Sequence, residues 1–139
     1  MTLRVLCDTN VLVSAFIAAG PPSRVLEEAI DARLELVLAA PVMVELERIL
    51  TGKLGFKPQR WQGVEELLLD LAVELVAAPA ASPEVLTGDP DDDLILACAI
   101  EAGVEVLVSG DRRHLLPVGE RRGVRVITPQ ALLAELRRT

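Results

Sequence analysis

The segment Leu3-Arg4-Val5-Leu6-Cys7-Asp8-Thr9-Asn10-Val11-Leu12-Val13-Ser14-Ala15 passes from an aliphatic run through a polar triplet into a second apolar stretch. Leu3 to Cys7 is short, aliphatic and bounded by Asp8, the pattern of a strand covered on both faces. Asn10 to Ala19 reads as a helix stopped by Gly20-Pro21-Pro22. Strand, acidic turn, helix is how an α/β unit begins.

Outward from this segment the alternation repeats. Ser23 suits the N-cap of a helix over Arg24 to Arg33, where Val25, Leu26, Ala29 and Ile30 form an apolar stripe, and Leu34 to Ala39 follows as a second strand. Pro41 opens a helix through about Leu50, Gly52 to Lys57 is a loop, and Pro58 to about Leu71 is a helix. Val73 to Ala77 fits either a strand or the end of that helix. Pro79 to Pro90 is rich in Pro, Ala and Gly and reads as a connection, followed by a helix over Asp91 to Ala102 closed by Gly103. Val104 to Ser109 is a strand, and a basic loop then leads to a strand over Val124 to Ile127. Thr128-Pro129 caps a last helix to Arg138. Aliphatic strands separated by helices predict an α/β fold with a mainly parallel sheet, and residues 1–139 are expected to form a single domain.

Composition narrows the function. Of 139 residues, 51% are hydrophobic but only 2% are aromatic, so a stacking platform for bases is not expected. With 21 Asp+Glu against 14 Lys+Arg the net charge is -7, whose field repels phosphate unless cations intervene. Uninterrupted apolar runs reach roughly half of the ~20 residues a membrane crossing needs, so no membrane partner is expected. The stretch around Arg4 and Asp8 lacks the basic start of a secretory signal, and the cytoplasm is the expected location. Cys7 and Cys98 stand in apolar runs without C-x-x-C spacing and read as buried free thiols. The single histidine, His114, cannot build a His/Cys zinc site.

In open parallel sheets the ligand site lies beyond the carboxyl ends of the strands. Four acidic locations meet that rule: Asp8 after the first strand, Glu45 in the helix after the second, the run Asp89-Pro90-Asp91-Asp92-Asp93 at a helix start, and Asp111 two residues past the strand ending at Ser109. Asp8 also suits a helix cap, and Glu45 and Glu47 flank their apolar stripe at about equal angles, so spacing does not choose between them. Acids in a first helical turn gain roughly 0.3–1 kcal/mol each from the dipole. That does not offset crowding all of Asp89, Asp91, Asp92 and Asp93 unless a cation arrives. Oxygen ligands without histidine or cysteine partners favour Mg²⁺ or Mn²⁺, one or two ions, and such pockets suit phosphoryl substrates. No Ser-His-Asp or Cys-His set and no Gly-rich phosphate loop is present. Metal-assisted phosphodiester hydrolysis is the reaction class that survives.

Asp8-Thr9-Asn10-Val11-Leu12-Val13-Ser14-Ala15, Val44-Glu45-Leu46, Asp89 to Ala99 and Leu107-Val108-Ser109-Gly110-Asp111, in that order, resemble a PIN domain from about Leu3 to Ile127. More narrowly they resemble the prokaryotic PIN proteins described as toxins of toxin–antitoxin pairs. The resemblance implies a three-layer α/β/α sandwich with a central mainly parallel sheet, and a Mg²⁺- or Mn²⁺-dependent endoribonuclease. It also implies an RNA substrate, an antitoxin protein as partner, and a homodimer or higher homo-oligomer. Residue by residue, Asp8 matches the first acid, Glu45 the second and Asp111 the fourth. Asp92 fits the third because Ile95, Ala97 and Ala99 then keep the family's spacing, Asp93 is the next candidate, and Asp89 and Asp91 follow. Asp8, Glu45, Asp92, Asp93 and Asp111 are thus the candidate metal ligands, with Thr9, Asn10 and Ser109 as supporting polar residues.

Arg112, Arg113 and His114 form a basic cluster that could grip the RNA backbone or neutralise a nearby acid. Lys53, Lys57 and Arg60 with Phe56 and Trp61 form a second candidate RNA rim, although Trp61 also suits the core. Two alternatives keep the ribonuclease site or drop it: a stand-alone RNA-processing nuclease, or a non-catalytic PIN-like module that binds a partner. A phosphotransfer domain of the response-regulator type needs a lysine after a late strand, whereas Lys53 and Lys57 both come too early.

Overall fold

The computed structural model of the protein describes residues 2–80 and 84–138. Six strands form one sheet: β1 (Leu3–Cys7), β2 (Leu34–Ala39), β3 (Glu74–Val76), β4 (Val106–Val108), β5 (Glu120–Arg121) and β6 (Val124–Ile127), in the order β3-β2-β1-β4-β6-β5. All pairings are parallel except β5 with β6. Leu3 stands opposite Leu34, and Val5 opposite both Leu36 and Val106. The central strands are aliphatic because both faces are covered. Val5, Leu36, Val37, Val106, Leu107 and Val108 are almost wholly buried.

The helices are α1 (Thr9–Ile17), α2 (Pro21–Ile30), α3 (Ala40–Arg48), α4 (Pro58–Leu71), α5 (Pro90–Glu101) and α6 (Pro129–Arg137). The β1-to-β2 crossover carries α1 and α2 one way across the sheet, and the β3-to-β4 crossover carries α5 back the other way. Right-handed connections therefore put α5 on the opposite face, giving an α/β/α sandwich. On one face α1 packs against α2 and α3, and α2 against α6, while α5 lies on β2 and β4. Among the described residues no helix is long and apolar enough to cross a membrane.

Several boundaries differ from the sequence expectation, each for a local reason. Pro21 and Pro22 do not merely end α1; they are the first two residues of α2, where the missing N–H costs nothing. Ser23 is accordingly inside the first turn rather than at the cap, and its hydroxyl accepts from the Gly20 N–H at 3.0 Å while donating to the Gly20 carbonyl at 2.8 Å. The helix after β2 loosens into a π turn over Ile49–Lys53, where a simple loop was expected from Gly52. Within the segment from 73 to 77, Glu74–Val76 form a strand and not the tail of α4. The connection expected over Pro79 to Pro90 includes residues 81–83, which lie outside the described residues. The basic loop before β6 hides a tight hairpin: Arg122 and Gly123 both have positive φ (51° and 85°), as a two-residue turn between antiparallel strands requires.

The strand order reverses between β1 and β4, because the chain leaves β1 toward β2 and returns from β3 to β4. The loops after these adjacent strands diverge and leave a crevice at the sheet's carboxyl edge.

Candidate active site

Asp8 and Ser109 face each other across that crevice. Asp8 caps α1, its Oδ1 accepting from the Thr9 N–H at 2.7 Å, so its capping role and its place at the strand end are one and the same. Its Oδ2 accepts from the Ser109 hydroxyl at 3.0 Å. Both residues are buried. Burial pushes the Asp8 carboxyl up; the two hydrogen bonds pull the other way, and the charges of Asp111 and Glu45 add to the rise. Asp8 therefore lies within the field of both of those acids.

Asp111 is held by the turn that follows β4. Its N–H donates to Ser109 Oγ at 3.0 Å, and its Oδ1 accepts from the N–H groups of Arg113 at 2.9 Å and His114 at 3.2 Å. Burial raises its pKa, but those N–H donors and Asp92 outweigh burial and hold it below the usual carboxylate range. Asp92, in the first turn of α5, faces Asp111. Burial, the hydrogen bond to Asp111, and the charges of Asp111, Asp8 and Asp89 push it up to about 7. The two carboxylates titrate as a pair, Asp92 raised and Asp111 lowered, because neighbouring acids disfavour each other's ionisation.

His114 is the residue that sequence reasoning set aside as a ligand. Its Nδ1 lies 3.5 Å from both Asp92 Oδ2 and Asp111 Oδ2, and with Asp89 and Asp92 it forms a group able to contribute ligand atoms within 4.8 Å of one another. The expectation that it could neutralise a nearby acid fits this position. The available signal was its spacing of three residues from Asp111 within one turn. Asp89 already serves as N-cap of α5, with Oδ1 accepting from the N–H groups of Asp91 at 2.9 Å and Asp92 at 3.2 Å.

The other acids separate. Asp93 turns away from the crevice to the preceding loop, where its Oδ1 accepts from the Leu86 N–H at 3.0 Å and from the Thr87 N–H and hydroxyl, both at 2.8 Å. Burial raises Asp93 but these donors more than reverse it, and its pKa is lowered. That is a loop anchor's environment, and the metal-ligand role expected for Asp93 finds no geometric support. Glu45 lines a small cleft with Thr9 and Asp91 and lies 3.8 Å from Arg48, whereas Glu47 is exposed.

Of the expected RNA contacts, Arg112 and Arg113 are exposed beside Asp111, and Lys53 is exposed in the π turn. Phe56 and Trp61 are buried core residues and cannot form an RNA rim; Arg60 stacks over the Phe56 ring at 3.8 Å. Asn10 is exposed in the first turn of α1. Cys7 and Cys98 are free and buried, and burial next to Asp8 pushes the Cys7 thiol up to about 12, so it is inert as a nucleophile.

The donor set fits a hard divalent cation. Carboxylates dominate, burial and neighbouring acids raise Asp92, and Thr9 Oγ1 is buried with no hydrogen-bond partner among the described residues at the edge shared with Glu45. Residues that would serve this role are Asp8, Asp92 and Asp111 at the crevice, with Asp89 and His114 grouped around Asp92 and Glu45 on the neighbouring cleft.

An α/β/α sandwich whose carboxylates gather where the strand order reverses defines the class of protein. A family model described as PIN domain matches residues 4–113, and the chain belongs to that family, whose members are generally nucleases. The fold is also similar to the crystal structure of PAE2754 from Pyrobaculum aerophilum (19% identity, TM-score 0.64, 100% of this chain and 98% of that one). It is similar as well to the crystal structure of FitAcB from Neisseria gonorrhoeae (19% identity, TM-score 0.59, 91% of this chain and 98% of that one). Among curated proteins none matches the chain.

Proposed function

We propose that the chain is a Mg²⁺- or Mn²⁺-dependent endoribonuclease. One observation carries the reading: Asp92 is crowded against Asp111 and within the field of Asp8 and Asp89, with the His114 imidazole beside the pair. A cation relieves that crowding.

In this reading Asp8, Glu45, Asp92 and Asp111 hold one or two ions. A cation held there would supply charge stabilisation for phosphoryl oxygens and would lower the pKa of a nearby water. Ser109 fixes Asp8 by donating to Oδ2, and the N–H groups of Arg113 and His114 fix Asp111 through Oδ1, leaving Oδ2 toward Asp92 and His114. These bonds orient the carboxylates before substrate arrives, so little reorganisation accompanies the reaction. The exposed Arg112 and Arg113 bind the RNA backbone at the rim, with Lys53 as a further contact, and Asn10 orients a water or the first carboxylate.

The motif resemblance to prokaryotic toxin proteins supports a cytoplasmic toxin with an antitoxin protein as partner. Exposed Val44, Leu67, Leu69, Val73 and Leu75 supply apolar surface for such a partner or for a homodimer. The deciding experiment is cleavage of single-stranded and structured RNA by purified protein with Mn²⁺ and with EDTA. Cutting that needs Mn²⁺ and disappears in Asp8→Asn supports the reading. No cutting of any RNA, with Asp8→Asn indistinguishable from wild type, rejects it in favour of a partner-binding module.

A further inference from the structure

Beside the acids lies a cleft of about 370 Å³, where the first turns of α1, α2 and α6 meet the loop after β4. Asp111 lines it and also faces Asp92, so whatever occupies the cleft abuts the acid cluster. The rest of the lining is uncharged. Asn10, Ser14 and Gln130 contribute two amides and a hydroxyl, and none of these side chains has a hydrogen-bond partner among the described residues. Pro22 adds a flat apolar ring face to the wall.

These features discriminate among parts of a nucleic acid. A phosphate finds neither Lys nor Arg in the lining and is repelled by Asp111, so the backbone does not suit the cleft. An unpaired base does: it is neutral, presents a hydrogen-bonding edge for an amide, and has apolar faces that a proline ring can cover. The volume falls at the low end of ligand pockets, about 300–1,000 Å³, enough for one nucleoside rather than several. With no aromatic side chain in the lining, stacking that accepts every base alike is weak and selection falls to the amides.

We propose that this cleft is a nucleoside subsite that receives the unpaired base adjoining the scissile phosphate, and that the Gln130 amide determines which base it accepts. The inference rests on the ribonuclease reading above. Gln130 is exposed in the first turn of α6, so truncating it leaves the fold intact. Ser14 lies farther along α1 on the same cleft, where a large side chain would take up its volume.

The test is cleavage of a random-sequence RNA pool with Mn²⁺, followed by sequencing of both new ends. Wild type should show a base preference at one position next to the cut, and Gln130→Ala should reduce it by about tenfold, the size of one well-made amide–base pair, at that position alone. Ser14→Phe should raise KM while keeping the wild-type rise in Tm on adding Mn²⁺, which separates the cleft from the metal centre. A wild type that cuts with no preference overturns the inference and leaves the ribonuclease reading standing, and so does a preference that Gln130→Ala keeps in full. A wild type that cuts no RNA overturns both.

Discussion

Ser109 and Asp8, 101 positions apart in the chain, meet through a 3.0 Å hydrogen bond that ties the ends of β1 and β4 together. The same hydroxyl accepts from the Asp111 N–H at 3.0 Å, so one small side chain positions two acids.

Ser109→Ala should therefore cost more than a surface change. It strips a buried carboxylate of a donor and leaves a backbone N–H without its acceptor, a loss of about 1–3 kcal/mol. Urea denaturation of the metal-free protein should give a lower midpoint with the slope unchanged. An unaltered midpoint would mean that Asp8 is held by Thr9 alone.

Asp92 and Asp93 are neighbours in different surroundings, and the two asparagine variants should separate them. Asp93→Asn weakens three hydrogen bonds to Leu86 and Thr87 and should lower stability by about 1.5–3 kcal/mol while the Mn²⁺ response persists. Asp92→Asn removes a carboxyl that resists ionisation and should leave the metal-free protein as stable as before or more so. Binding a ligand only to the folded state adds about 2.7 kcal/mol at a hundredfold excess over Kd. Most of that gain with Mn²⁺, followed by thermal melts, should vanish in Asp92→Asn. The reverse pattern in the two variants would move the ligand role to Asp93.

The pH dependence follows from the direction of the Asp92 shift. Its folded value of about 7 lies above the ordinary 3.8. Its contribution to stability is then complete below the ordinary value and lost as pH rises through about 7. Asp8, raised by burial, acts in the same sense. Asp93 and Asp111 are lowered, so their contributions are lost only in stronger acid, outside this window. In EDTA the Tm should fall between about pH 4 and pH 7, and Asp92→Asn should flatten the slope. Mn²⁺ should oppose the fall, because the cation binds the ionised form. A metal-free Tm that climbs across the same interval would contradict the crowding at the crevice.

Thr9→Val tests the buried hydroxyl that has no partner. The valine is close in shape, so the metal-free protein should be unchanged or gain up to about 1 kcal/mol from losing an unsatisfied polar atom. Mn²⁺ affinity, read by calorimetry, should weaken. Equal affinity in the variant would assign Thr9 to packing only.

The parallel sheet was legible because its strands are covered on both faces and so carry unbroken aliphatic runs; α4 and β6 have the expected limits for that reason. The ends governed by turns were not. Pro21 and Pro22 punctuate one helix and start another, and only the hydrogen bonds of Ser23 with Gly20 show which role prevails. The hairpin at Arg122-Gly123 escaped notice since one of its two left-handed residues is an arginine. Within the site, the strand-end rule located Asp8 and Asp111 from the sequence alone. Choosing among Asp89, Asp91, Asp92 and Asp93 required knowing which way each points in a single helical turn, and the pairing of His114 with Asp92 across loops has no trace in local spacing.

The adjacency of β1 and β4 has a consequence for biosynthesis. Asp8 leaves the ribosome early, but its partner Ser109 comes 101 residues later, and the Ser109 N–H is itself held by the Ile127 carbonyl at 3.0 Å. The acid cluster cannot assemble on a nascent chain until the residues through Ile127 have been made. Every shorter nascent chain therefore lacks the paired Asp8 and Ser109 that position the acids.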